Sequence, residues 1–153
     1  MAGGPRRGKR LAAPAILDNA AVVIVDDKIL EVGNSEELLS RYPLAERVDA
    51  AGMAVVPGLV DPHTHLVWAG DRANEFEMRS RGDTYQQIKA SGGGIFSSVK
   101  ATREASEPDL LNESAKHLRW MLEHGTTTVE IKSGYGLDLE TELKMLRTAR
   151  ELG

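Results

Sequence analysis

The chain has 153 residues, 41% of them apolar, and a formal net charge of -4, which is ordinary globular composition and argues against a nucleic-acid surface. It has no cysteine, so disulfides and thiolate metal sites are excluded and a reducing cytoplasm is the easiest fit. The longest apolar run, 53–60, is broken by Pro57 and Gly58 and falls far short of the ~20 residues of a bilayer span, so no membrane partner is expected.

The first ten residues carry Arg6, Arg7, Lys9 and Arg10 with no acid. No apolar segment follows, so residues 1–14 read as a basic, disordered or mis-started segment rather than a targeting peptide. Strands are expected at 21–25 and 28–32, joined as a hairpin by Asp26-Asp27. Asn34 and Ser35 then open a short helix to about Arg41, with Ser35 as its N-cap. Two more short strands are expected at 48–50 and 54–56, around an Ala51-Gly52 turn.

The character changes at Pro57. Gly58-Leu59-Val60-Asp61 ends an apolar strand that runs into Pro62-His63-Thr64-His65. The long polar stretch beyond it, with Gly82 and the Gly92-Gly93-Gly94 triplet, reads as loop. A helix follows, with Ser106 as N-cap, Asp109 completing the cap, Leu111, Ala115, Leu118 and Leu122 at helical spacing, and Gly125 just past its end. Thr126–Ile131, β-branched except for Glu130, reads as a buried parallel strand. A last helix is capped by Asp138 and carries Leu139, Leu143 and Leu146 on one face. Strand, loop, helix, strand, helix is the alternation of an α/β fold, in which chemistry gathers at the carboxyl ends of parallel strands.

Two segments sit at such ends. His63 and His65 alternate along a strand, so both imidazoles can face one metal ion, and neutral imidazole suits zinc or ferrous iron. Asp61 and Thr64 are nearby candidates to orient them. Arg72, seven residues past His65, could hold a carboxylate with two parallel hydrogen bonds, although spacing alone favours a solvated arginine. Tyr135 lies between Gly134 and Gly136, where the backbone can approach a ligand closely, although a loop tyrosine beside glycines is more often structural. Lys132 is not assigned as a metal ligand. The glycine triplet lacks the lysine and hydroxyl ending of a phosphate loop and reads as a mobile loop near the site.

Val56-Pro57-Gly58-Leu59-Val60-Asp61-Pro62-His63-Thr64-His65 resembles the first barrel strand of the amidohydrolase superfamily. Leu66-Val67-Trp68-Ala69-Gly70-Asp71-Arg72, Gly92-Gly93-Gly94-Ile95, Glu130-Ile131-Lys132-Ser133-Gly134-Tyr135-Gly136-Leu137 and the run from Asp138 to Leu146 resemble the imidazolonepropionase family within it, over residues from about 15 to the end. The resemblance implies an incomplete (β/α)8 TIM-type barrel over 57–153, since a whole one needs about 250 residues. It implies a partial β-sandwich domain over 15–56 ahead of it. The implied reaction is hydrolytic ring opening of 4-imidazolone-5-propanoate to N-formimidoyl-L-glutamate in histidine degradation, by metal-activated water. By the same resemblance His63 and His65 are ligands of one metal ion, Zn2+ or Fe2+/Fe3+. Arg72 grips the propanoate carboxylate, and Tyr135 and Tyr85 lie against the substrate. The family's third histidine, its aspartate ligand and its catalytic glutamate fall downstream of Gly153, so no catalytic residue is expected within this chain. The 153 residues alone are therefore expected to be inactive and to expose apolar helix faces. A homodimer is left open for the intact enzyme. Other cyclic-amide amidohydrolases and aromatic deaminases share the His-x-His strand, but the Ser133-Gly134-Tyr135-Gly136 block argues against them. A non-catalytic partial chain pairing with another polypeptide is the rival from a different class.

Overall fold

The computed structural model describes residues 7–12 and 15–153. Of the basic start, residues 1–6, 13 and 14 lie outside the described residues, and Gly8–Ala12 form a short 3-10 helix. The chain divides into two compact units, Met1–Ala54 and Val55–Gly153, just ahead of the boundary expected at Pro57.

In the first unit β1 (Ala20–Val25) and β2 (Lys28–Asn34) form the expected antiparallel hairpin. Asp26 takes the left-handed conformation at its tip, with φ 55°, which a short polar side chain tolerates. The helix α1 (Ser35–Arg41) is capped by Asn34 rather than by Ser35. Asn34 Oδ1 accepts from the Glu36 and Glu37 amides at 2.9 and 3.3 Å, so the first exposed donors of the helix are satisfied one residue earlier than expected. The strands expected at 48–50 and 54–56 do not form. An extended segment becomes a strand only when a neighbour accepts and donates along it, and no described segment pairs there. The expected partial β-sandwich is thus a single hairpin with one helix, and Val48 remains 91% exposed.

In the second unit β3 (Leu59–Thr64) and β4 (Thr126–Ile131) pair in parallel, as the α/β pattern requires. Among the described residues this sheet has two strands, too few to close a barrel. The polar stretch between them is not loop. It holds α2 (Ala73–Ser80), α3 (Tyr85–Ala90) and α4 (Ile95–Glu104), ahead of α5 (Glu107–Glu123). Thr84 and Gln87 form a capping box on α3, with the Thr84 amide donating to Gln87 Oε1 at 2.7 Å. The glycine triplet is a packed turn between α3 and α4 rather than a free loop. Gly92 and Gly94 take φ of 88° and 91°, and a Cβ on Gly93 would lie 2.8 Å from Ile88 Cγ2 and 2.9 Å from its carbonyl oxygen.

Ser106 and Asp138 cap α5 and α6 (Leu139–Leu152) as expected, accepting from the Asp109 and Thr141 amides. The core is built from Val67, Leu110 and Met145, with Ile131, Tyr135, Ala149 and Leu152 packed around it. Each fully buried side chain of this size contributes about 1.5–3 kcal/mol. The apolar faces of α5 and α6 are largely open, as expected of these 153 residues alone. Buried positions are Leu110 and Ser114 on α5, and Thr141, Met145 and Thr148 on α6. Along the leucine stripes Leu111 and Leu118 are half-buried, while Leu122 is 61% and Leu139 78% exposed. With a two-stranded sheet there is not enough apolar surface to cover both sides of each helix. For the same reason β4, expected to be buried, leaves Thr127, Thr128 and Glu130 open. Among the described residues no helix is long and apolar enough to cross a membrane.

Candidate active site

The carboxyl ends of β3 and β4 are level. Thr64 pairs with Ile131, and the Lys132 amide donates to the Thr64 carbonyl at 2.8 Å. The ladder is irregular between Asp61 and Thr64, where Pro62 has no N–H to give. Asp61 bridges the gap, its Oδ1 accepting from the His63 amide at 3.0 Å and its Oδ2 from the Thr64 hydroxyl at 2.5 Å. Those two donors, the hydroxyl foremost, hold the Asp61 carboxyl below its ordinary value. Asp61 and Thr64 therefore fix the backbone that presents the histidines, instead of bonding the imidazoles.

His63, near the end of β3, and His65, just past it, are both exposed. Their ring centroids are 5.6 Å apart at 70°. With metal–nitrogen bonds of ~2.0–2.1 Å, two imidazoles on one ion keep their centroids within roughly 6.4 Å. The pair therefore fits one shared metal. Among the described residues no third His, Asp or Glu joins them.

The loop after β4 comes against His65. Gly134 has φ 140°, and a Cβ there would lie 3.0 Å from His65 Cε1 and 3.3 Å from Nδ1. Tyr135 sets its ring edge-on to His65 with centroids 5.6 Å apart, while its other side joins the core around Met145. Trp68 stacks on His117 at 5.3 Å on one side and meets Tyr135 at 6.3 Å on the other. Glu142, in the first turn of α6, folds back to accept from the Gly136 and Leu137 amides at 2.8 and 2.7 Å. Burial pushes its carboxyl up, but the Leu137 amide, the Ser133 hydroxyl and the Gly136 and Gly134 amides together outweigh it and the net shift is downward. Lys132 is taken up by an ion pair with Glu130.

Arg72 stands at the start of α2, and it is not a free cation. Its Nε and one Nη donate to the two oxygens of Glu75 at 2.8 and 2.5 Å. Glu75 is almost fully buried, 5% exposed. Its carboxyl is held down to about 2, first by Arg72 and next by the Gly94 amide. The Arg72 guanidinium is held above its ordinary value, first by Glu75 and only weakly by Tyr135 and Tyr85. Tyr85 itself opens α3 and is 67% exposed. Glu75 and Glu142 carry no sequence signal that separates them from solvated helix carboxylates. Only the i to i+3 spacing from Arg72 to Glu75 hints at the first pair.

These elements define the class. Residues 46–151 match the model of the Amidohydrolase family, and the chain belongs to that family. Residues 20–45 match the imidazolonepropionase-like composite domain of bacteria. More particularly, the chain is 50% identical over 153 residues to an imidazolonepropionase of Rubrobacter xylanophilus, covering 98% of this chain and 37% of the relative. It is 50% identical over 155 residues to that of Symbiobacterium thermophilum, covering 99% and 36%. It is 51% identical over 150 residues to that of Haloarcula marismortui, covering 96% and 35%. The chain thus spans little more than a third of the length of the curated relatives it matches.

Proposed function

We propose that these residues form the front part of an imidazolonepropionase, which hydrolyses the ring of 4-imidazolone-5-propanoate to N-formimidoyl-L-glutamate. The observation that carries this is the close approach of His65 to the Gly134-Tyr135 loop at two level strand ends. His63 and His65 would hold one Zn2+ or Fe2+/Fe3+ ion together with ligands from outside these 153 residues. When bound, such an ion supplies polarisation of a carbonyl and a more acidic water. The chain's own contribution is positional. Asp61 fixes the strand end under the imidazoles, Glu142 fixes the loop that carries Tyr135, and Arg72 takes the propanoate carboxylate. The 153 residues alone are inactive and hold metal weakly, because two imidazoles complete no coordination sphere.

The test fuses residues 1–153 to the downstream portion of a related imidazolonepropionase and follows the loss of imidazolone absorbance. Turnover abolished by His63→Ala, with Arg72→Ala raising KM sharply, is the expected result. A folded, metal-loaded but inactive fusion would move the reading to another cyclic-amide hydrolase of the family.

A further inference from the structure

Glu75 is a buried carboxylate that accepts three hydrogen bonds. Oε1 accepts from Arg72 Nε at 2.8 Å and from the Gly94 amide at 2.7 Å. Oε2 accepts from an Arg72 Nη at 2.5 Å, with Arg79 3.5 Å away. A carboxylate offers about four acceptor positions; three are hydrogen-bonded and the Arg79 cation stands near the remaining one. Glu75 is an anchor rather than a reacting group.

What it anchors is directional. A guanidinium has two edges that can receive a carboxylate side by side, the Nε–Nη edge and the Nη–Nη edge. Glu75 occupies the first. The second remains, on a side chain that is 42% exposed while its partner is 7% exposed. Through the Gly94 amide the same carboxylate ties Arg72 to the turn between α3 and α4, and α3 begins with Tyr85. We propose that Glu75 is the positioning residue of the carboxylate subsite: it holds Arg72 by its Nε–Nη edge, so that a substrate carboxylate is received end-on by the two Nη groups. This rests on the assignment of Arg72 to the substrate carboxylate above, and deepens it. The subsite then selects by geometry more than by charge, because the buried partner already offsets the Arg72 charge.

The probe is 3-(imidazol-4-yl)propanoate, titrated into the fusion of residues 1–153 to the downstream portion of a related imidazolonepropionase while the Arg72 Nε–Hε and Nη–Hη resonances are followed by NMR. The expected result is that the Nη resonances move with the probe while Nε–Hε stays in place. Glu75→Gln keeps the shape but presents an amide N–H to the Arg72 Nη. It should weaken the probe by about tenfold or more and open Nε–Hε to solvent exchange. A change in packing alone would lower stability without altering which nitrogens respond. Movement of Nε–Hε with the probe in the wild-type fusion means that the ligand displaces Glu75, and overturns the proposal without recourse to the variant. Unchanged affinity in Glu75→Gln overturns it too and leaves the Arg72 assignment standing. No binding to the wild-type fusion, or binding unaffected by Arg72→Lys, removes the Arg72 assignment and the role of Glu75 with it.

Discussion

Gly134→Ala separates two penalties that coincide at the site. At φ 140° an L side chain is strained, which costs about 1–3 kcal/mol. The new Cβ would also lie 3.0 Å from His65 Cε1. His65 is exposed, so it can turn aside, at the cost of an off-rotamer side chain, about 0.5–1.5 kcal/mol. Together these amount to roughly 1.5–4.5 kcal/mol, or about 3–18 °C in Tm for a chain of this size. Gly82→Ala is the control, since its φ is 97° and nothing lies within 4 Å of its Cβ. It should show the backbone share only. Thermal unfolding gives the two losses, and the His65 Cε1–H resonance reports the ring. The double variant Gly134→Ala/His65→Ala should recover the crowding share as a coupling energy. The reasoning is refuted if Gly134→Ala costs no more than Gly82→Ala while the His65 resonance stays where it was.

Lys144 reaches from α6 to the end of α4, its Nζ donating to the carbonyls of Thr102, Arg103 and Ala105 at 2.9, 3.0 and 2.7 Å. Lys144→Met keeps the stem but strands those carbonyls. A loss of about 1–2 kcal/mol is expected after the regained side-chain entropy is counted, read as a lower urea midpoint at unchanged m. Acid should weaken the fold through Glu75, whose folded carboxyl is held at about 2 against an ordinary 4.5. A depressed folded value means that the unfolded chain binds more protons between these limits. The stabilisation is therefore complete above about pH 4.5 and is lost as pH falls toward 2. Wild type and Glu75→Gln, compared by urea unfolding across that window, should converge as the pH drops, and parallel curves would contradict it.

The parts legible in the sequence are those whose signals are local. The hairpin around Asp26-Asp27, the Ser106 and Asp138 caps and the β-branched run Thr126–Ile131 all formed where patterning put them. Locality is also why α2, α3 and α4 went unread. They are short and polar, and the glycines between them suggested loop, although Thr84 with Gln87 was a helix-start signal in plain view. The leucine stripes on α5 and α6 are legible as apolar faces, and their exposure in these 153 residues follows from how few neighbours stand beside them. At the site, His63 and His65 were legible from their alternation at a strand end. The Arg72–Glu75 pair was not, since only the Gly94 amide, nineteen residues away in sequence, distinguishes Glu75 from an ordinary surface acid.

The pairing of Leu59 with Thr126 has a kinetic consequence. It closes a loop that contains four helices, so the chain must surrender the freedom of that whole loop before the strand ends meet. His65 and Gly134 can come together only at that closure, whereas the capped helices between them rely on contacts near in sequence. A protein with such non-local pairing folds slowly for its size. The histidine pair and the loop that crowds it should therefore be among the last features to assemble and the first to part. In hydrogen exchange, amides of β3 and β4 should open as one cooperative unit, while α5 keeps its own protection.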